Sequence, residues 1–328
     1  MIVNKLINSK WEDGMPTVPS NSIDLIVTSP PYNVNLGKNK HKKDSYESYD
    51  DNMPYDEYLQ WINKLFWTCN RVLKVGGRLC INIGDGANGS VPTHADFTNL
   101  LVGKDEMGKK LGEGTTYWDD RLPSMYDDNI PGSWARFDDK PTNDYAPFQM
   151  MTTIVWNKRQ IGASTAWGSF KSPSQPSFPT QFEFIIVVSK GILKHEGDKS
   201  KITVSKEDFI RNSRALWTFS PETGMMKKYS HPAMFPEELP RRLIDQLTYE
   251  DDIVLDPFSG AATTCAVAKS MNRCYIGFEM SEFYHNKGLV RLGEIPAIVK
   301  TEIDGKVVDM PDWLVVGERG EKMDIISK

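Results

Sequence analysis

Ile23-Asp24-Leu25-Ile26-Val27-Thr28-Ser29-Pro30-Pro31-Tyr32-Asn33 is the stretch on which the reading of this 328-residue chain turns. Ile23 to Val27 is an apolar run of the length expected for a buried strand. Two consecutive prolines then stop it. They fix φ and remove two backbone N–H donors, leaving carbonyls that no ladder partner can claim. Small polar side chains and an aromatic are thereby held on a stiff loop at a strand's carboxyl end. In open α/β sheets ligands bind in that place.

Outward from this loop, strands and helices alternate. Ile2 to Ile7 reads as a first strand. Tyr55 to Leu73 carries Tyr58, Leu59, Ile62, Leu65 and Phe66 at helical spacing, with Pro54 before it and Gly76-Gly77 after it. Arg78 to Ile83 reads as a buried strand ending in Gly84-Asp85-Gly86. From Ala87 to Pro147 periodicity is lost among Gly, Pro, Asp and Asn, and the span is too long for an ordinary connection. An irregular insertion open to a partner is expected there. Strands follow at Thr152–Trp156 and Phe182–Val188, then a polar, basic stretch from Gly191 to Ser230. The remainder predicts a helix (Glu237–Leu247), a strand (Asp252–Leu255), a helix (Thr263–Met271), a strand (Cys274–Phe278) and a helix (Ser281–Leu292). This alternation implies an α/β fold with a mixed, mostly parallel sheet and helices on both faces. The expected divisions are 1–86, 87–150, 151–190, 191–230, 231–298 and a tail, 299–328.

Hydrophobic content of 39% and charged content of 25% describe a soluble globular chain. No apolar run approaches the ~18 residues of a membrane span, and the amino terminus lacks a signal peptide's apolar core. Cys69, Cys80, Cys265 and Cys274 are scattered without metal-like spacing. They read as free thiols in a reducing cytoplasm, with no metal site. A net charge of −5 argues against nucleic acid until its distribution is examined. Met151 to Ser230 holds twelve Lys or Arg against six Asp or Glu, a local balance of +6. A second basic group follows the Pro-Pro loop: Lys38, Lys40, His41, Lys42 and Lys43. Lys158, Arg159, Trp167, Ser169, Phe170 and Lys171 interleave charge with aromatic rings, a pattern suited to phosphate contact and base stacking. A solvated surface loop accounts for either group equally well.

Asp256-Pro257-Phe258-Ser259-Gly260-Ala261-Ala262-Thr263-Thr264 lies between a strand and a helix. Its small residues let backbone approach a ligand, and Thr263 and Thr264 can cap the helix or bind a carboxylate. Glu279 ends the next strand, roughly twenty residues on, where an acidic side chain holds ribose hydroxyls. This pairing fits a nucleoside cofactor without separating NAD from S-adenosylmethionine. The three-glycine dinucleotide fingerprint is missing, which tilts away from NAD.

Taken together, these strings resemble one family. Ser29-Pro30-Pro31-Tyr32 is similar to the catalytic motif of DNA amino-methyltransferases. Asp256 to Thr264 resembles the Asp-Pro-Phe-x-Gly-Ser-Gly-Thr-Thr cofactor motif of their beta class. His231-Pro232-Ala233-Met234-Phe235-Pro236 resembles the motif preceding it, and Tyr275 to Glu279 resembles the ribose-binding strand. The order of motifs also agrees. The resemblance spans roughly 2–292 and implies a Rossmann-like methyltransferase fold with the catalytic half before the cofactor half. It implies methyl transfer from S-adenosylmethionine to the exocyclic amine of a flipped DNA base, with 191–230 as the target-recognition region. Ser29 leans to cytosine N4, adenine N6 being the alternative. By resemblance, Ser29, Pro30, Pro31 and Tyr32 are catalytic. Asp256, Phe258, Gly260, Thr263, Thr264, Glu279, His231, Phe235 and Pro236 serve the cofactor. Asn33, Lys38, Lys40, Lys42, Lys43, Lys158, Arg159, Trp167, Ser169 and Lys171 face DNA. A homodimer and a cognate restriction endonuclease are further partners the resemblance raises.

Two departures stand out. Ala262 replaces the motif's second glycine, placing a methyl where backbone is expected to meet the cofactor, and Lys10 stands near a position where the class often has aspartate. Chemistry through a ring carbon is disfavoured because no Pro-Cys pair exists, and zinc deamination because the His/Cys spacing is absent. A nicotinamide oxidoreductase leaves Ser-Pro-Pro-Tyr unexplained. A DNA-binding protein with an idle cofactor site is the other rival, motivated by Ala262.

Overall fold

The computed structural model describes residues 3–33, 53–86, 89–102, 148–159, 168–178, 180–222, 234–295, 298–303 and 306–311. Lys38, Lys40, Lys42, Lys43, Trp167 and His231 lie outside the described residues. Among the described residues eight strands form the main sheet: β1 (Lys5–Asn8), β2 (Ile23–Thr28), β3 (Leu73–Ile83), β4 (Phe148–Asn157), β5 (Phe182–Lys190), β6 (Leu216–Thr218), β7 (Ile253–Asp256) and β8 (Cys274–Glu279). Their order is β1-β8-β7-β2-β3-β5-β4-β6. Pairing is parallel from β1 through β3 and again for β4 with β6; β5 is antiparallel to both its neighbours. The sheet is therefore mixed and mostly parallel, as the alternation of elements predicts.

Among the described residues seven helices accompany it: α1 (Trp11–Gly14), α2 (Tyr55–Val72), α3 (Thr93–Val102), α4 (Lys206–Asn212), α5 (Glu238–Leu247), α6 (Thr263–Ser270) and α7 (Glu282–Arg291). Side chains alternate across the strands. Leu79, Ile81 and Ile83 of β3 join a core with Tyr58, Leu59, Ile62, Leu65 and Phe66 of α2 and Phe97 of α3. Cys80, with Ile185 and Val187 of β5, joins the opposite core with Leu239 and Leu243 of α5 and Val267 and Ala268 of α6. Helices thus cover both faces, and β2, between them, is buried along its whole length. Among the described residues no helix is long and apolar enough to cross a membrane.

The structure departs from the sequence reading in three places. Thr93 to Val102, expected to be irregular, is helical, because Phe97, Leu100 and Leu101 present an apolar face to the core. The basic stretch 191–230 is partly built into the core: β6 adds an edge to the main sheet, with Trp217 buried. The tail contains a two-stranded hairpin, β9 (Ile298–Ile303) with β10 (Lys306–Pro311), where no period was evident.

At the sheet's amino-terminal edge, His195 Nε2 lies 3.0 Å from Asp252 Oδ2 and 3.7 Å from Asp24 Oδ1. Lys74 Nζ completes the group, 2.7 Å from Asp24 Oδ1. Burial pushes both carboxyls above the usual carboxylate range. These contacts tie the segment after β5 to the starts of β2 and β7.

Close packing is severe where α7 crosses β1. A Cβ on Gly288 would lie 2.5 Å from Leu6 Cδ2 and 3.1 Å from Ala262 Cβ. Gly288→Ala should therefore destabilise the protein by about 1–3 kcal/mol through overpacking, measured by urea unfolding. An unchanged midpoint would show that α7 moves freely enough to absorb a methyl.

Candidate active site

The parallel strands and β4 bring their carboxyl ends to one edge, and antiparallel β5 begins there. Thr28, Ile83, Asn157, Asp256 and Glu279 consequently end on the same side, with Phe182 opposite Asn157. Thr28 and Asp256, on neighbouring strands, are joined directly: Thr28 Oγ1 donates to Asp256 Oδ1 at 2.8 Å in a buried bond. The same Oδ1 accepts the Phe258 N–H at 3.0 Å, which pins the turn after β7.

The Ser-Pro-Pro-Tyr loop is held from three sides. Tyr58 of α2 donates to the carbonyl of Pro31 at 2.7 Å. Ser29 Oγ lies 3.1 Å from the Asn82 carbonyl and 3.3 Å from Tyr32 Oη. Tyr32 Oη donates to Glu183 Oε2 at 3.1 Å and accepts from Asn82 Nδ2 at 2.9 Å. Asn82 Nδ2 also donates to Glu183 Oε2 at 2.7 Å, while Lys158 Nζ sits 2.6 Å from Glu183 Oε1. Asn82 Oδ1 is buried and has no partner among the described residues. The Asn82 amide is therefore oriented by the carboxylate, which only its NH2 can face. Gly84 admits the Tyr32 ring: a Cβ there would stand 3.2 Å from Tyr32 Cε2. Beyond it, His94 stacks on Phe184 with centroids 3.8 Å apart, and its Nδ1 lies 2.7 Å from Asp85 Oδ1.

Across the edge, Glu279 links two loops. One carboxylate oxygen accepts the Gly260 N–H and the other the Ser281 N–H, each at 2.8 Å. Burial raises its pKa, and these bonds partly offset the rise. The Met280 N–H adds to these donors, and a carboxylate with roughly four lone-pair sites still keeps acceptor capacity for a ribose hydroxyl. The half-buried Phe258 ring is backed by Trp61 of α2, with centroids 5.6 Å apart. Gly260 takes φ +50°. A carboxylate with spare acceptors, a supported aromatic ring and a small-residue turn fit an adenosine-containing cofactor such as S-adenosylmethionine.

Several expected contacts are placed otherwise. Asp256 is 1% exposed and its carboxyl faces Thr28 and the turn, so it shapes the loop from beneath. Thr263 Oγ1 accepts from Arg291 at 2.9 Å, and Thr264 Oγ1 donates inward to the Val27 carbonyl. Neither hydroxyl caps the helix. Pro236 is buried, and the half-buried Phe235 packs on the second core. Ala262 adopts φ +60°, the left-handed region, but its methyl is fully buried toward Gly288. The expected methyl at the cofactor is thus turned into the core instead.

Among the residues expected at DNA, Asn33 spends its side-chain amide on both backbone groups of Met53, donating at 2.8 Å and accepting at 3.0 Å. Lys158 is turned inward to Glu183. Ser169 Oγ holds a local turn with Ser172 and Gln175. Arg159 and Lys171 remain exposed, Lys171 over the ring of Phe170, itself 69% exposed. Sequence reasoning passed over Asn82 and Glu183, although each is a polar residue inside an apolar strand run, the one signal available for them.

The family model for DNA methylases of the N6/N4 type matches residues 23–289. Type II methyltransferase M.MjaVI of Methanocaldococcus jannaschii is 33% identical over 208 residues, covering 63% of this chain and 81% of that protein. Type II methyltransferase M.BglII of Bacillus subtilis is 30% identical over 289 residues, covering 86% and 67%. The solved structure of the PvuII DNA methyltransferase, titled as cytosine-N4-specific, superposes with a TM-score of 0.56 at 20% identity, covering 88% of this chain and 85% of that one.

Burial without a charged partner pushes the Asp256 carboxyl up to about 6, while bonds from Phe258, Thr264 and Thr28 pull it down. The folded state therefore holds this proton more tightly than the unfolded chain does. The associated stability is fully present below about pH 4 and is lost as pH rises through about 6. Asp256→Asn cannot ionise. Between pH 4 and pH 7 its unfolding free energy should improve relative to the parent by roughly 2 kcal/mol, measured by denaturant titration; a constant difference would refute the buried-carboxyl assignment. With a family match running from the first residue of β2 into α7, across both loops of this edge, the chain belongs to the N6/N4 DNA methylase family.

Proposed function

We propose that this methylase transfers the methyl group of S-adenosylmethionine to the exocyclic amine of a base flipped from DNA, and that the base is cytosine, modified at N4. The observation that carries the reading is the Thr28–Asp256 bond, which sets the Ser-Pro-Pro-Tyr loop beside the Gly260–Glu279 cradle. The choice of cytosine follows Ser29, the residue that leans to cytosine in this family. Adenine N6 methylation would use the same site.

When bound, the cofactor supplies an electrophilic methyl on a sulfonium centre. Glu279 would take the ribose hydroxyls, Phe258 would flank the adenine, and the Gly260 turn would receive the remaining end. An exocyclic amine is a weak nucleophile because its lone pair is delocalised into the ring. Ser29 Oγ and the Pro30 carbonyl accept its two N–H bonds out of the ring plane and so localise the pair on nitrogen. Tyr58 supports this assignment, because it occupies the neighbouring Pro31 carbonyl and so stiffens the loop. The Tyr32 ring, seated against Gly84, stacks on the flipped base. Holding amine and methyl in line supplies much of the acceleration. Arg159, Phe170 and Lys171, exposed beside this edge, take the phosphate and stacking contacts.

Purified protein incubated with S-adenosylmethionine and unmethylated bacterial DNA, digested to nucleosides and read by mass spectrometry, tests the proposal. N4-methylcytosine is expected. N6-methyladenine would overturn the base assignment, and neither product, with cofactor bound, would overturn the reaction. Ser29→Ala should lose most turnover with cofactor affinity nearly unchanged; an equal loss of affinity would give the loop another role. Glu279→Ala should weaken cofactor binding by about tenfold or more, the scale of a charged hydrogen-bond acceptor, and leave DNA affinity at fixed salt alone. Loss of DNA affinity instead would remove Glu279 from the cofactor site.

A further inference from the structure

We propose that Glu183 is the terminal proton acceptor of the methylation step, acting through Tyr32 and Ser29. The inference rests on the amine-methylation reading and adds what that reading lacks, an exit for the proton. As the amine nitrogen's lone pair closes a bond to the methyl carbon, the carbon–sulfur pair stays with sulfur. The nitrogen is left with one N–H too many. Ser29 Oγ accepts that proton and passes on its own. Its hydroxyl has two acceptors in reach, the Asn82 carbonyl at 3.1 Å and Tyr32 Oη at 3.3 Å. A carbonyl cannot hand a proton on, whereas Tyr32 Oη donates to Glu183 Oε2 at 3.1 Å. Ser29, Tyr32 and Glu183 therefore form a chain of donors with one direction, ending on a carboxylate. Each hydroxyl gains one proton and gives one up, and Glu183 ends as a neutral acid. The sulfonium charge and the carboxylate charge disappear together, so the step balances.

Asn82 sets that direction. Its Nδ2 donates to both Tyr32 Oη and Glu183 Oε2, which leaves the Tyr32 proton aimed at the carboxylate. Its unmatched buried Oδ1 shows the amide orientation being imposed by Glu183. Lys158 Nζ holds the other carboxylate oxygen at 2.6 Å, fixing Glu183 at the mouth of β5.

The test compares parent enzyme, Glu183→Gln, Tyr32→Phe and the double variant in single turnovers across pH. The substrate is an unmethylated duplex containing the site mapped from the parent's own product. Tyr32→Phe keeps the stacking ring and leaves the Lys158–Glu183 pair intact, so it carries the test if Glu183→Gln folds poorly. Each single variant should slow the turnover by roughly a hundredfold, within the range of general-base effects. The parent's rate is expected to fall on acidification, each single variant should abolish that fall, and the double variant should be no slower than either, because the wire works as a unit. Without cofactor, 2-aminopurine at the target position should report base extrusion equal to the parent's in all of them. Multiplying effects, an intact acid-side fall or lost extrusion would make Glu183 a structural residue and overturn the proposal. If the parent itself methylates no DNA amine, the functional reading fails; a methylating parent with unimpaired variants sinks the relay alone.

Discussion

The hydrogen bond from Thr28 to Asp256 is the constraint on which the rest of the site depends. It joins residues 228 apart in sequence, inside the core, at the point where β2 and β7 end together. Closing so long a separation costs chain entropy that a single hydrogen bond cannot supply. The supply comes from β2, buried along its length between the two apolar cores. The bond then does something burial cannot, since burial is non-directional. It fixes the level at which both strands stop, and through the same oxygen it fixes Phe258. Helix α2 repeats this coupling from above, with Tyr58 on the Pro31 carbonyl and Trp61 against Phe258. The two loops are accordingly positioned by shared residues and cannot be displaced independently.

Ala262 shows how a motif departure is absorbed. A non-glycine residue in the left-handed region costs about 1 kcal/mol or more. Part of that cost is offset because the methyl is fully buried, filling the space that Gly288 leaves open on α7. The missing glycine is visible in the sequence, but the compensating one is not, since it lies on the next helix. This geometry also weakens the case for an idle cofactor site, because the added methyl is directed away from the cradle.

Much of the fold was legible because its elements carry strong periods: Tyr58, Leu59, Ile62, Leu65 and Phe66 sit at helical spacing, and Ile23 to Val27 is an unbroken apolar run. Thr93 to Val102 was hidden because its three apolar contacts are diluted by the glycine, proline and aspartate around it. Of the site, the motif loops and Glu279 were legible as strings. The network behind them was not, since it exists only through register: Asn157 lies opposite Phe182, which brings Lys158 to Glu183. A lysine read singly looks available for phosphate. Once paired across strands at 2.6 Å and 18% exposed, it is committed to a carboxylate.

The loop's composition also has a chemical logic that the packing completes. An exocyclic amine presents two donors, so the surface that holds it must offer acceptors and keep donors away. Pro30 and Pro31 have no backbone N–H to misplace. Ser29 has one proton, and the Asn82 carbonyl and Tyr32 Oη both lie on its inner side to receive it. Tyr32 has one proton as well, and Glu183 takes it. Both hydroxyl protons of the loop are thereby directed to named acceptors. The buried Asn82 and the partly buried Glu183 are expensive residues to place in apolar strands, and a site that only bound a flat base by stacking would have no use for them. The proposed relay gives them one: a nitrogen that gains a methyl group must be stripped of a proton.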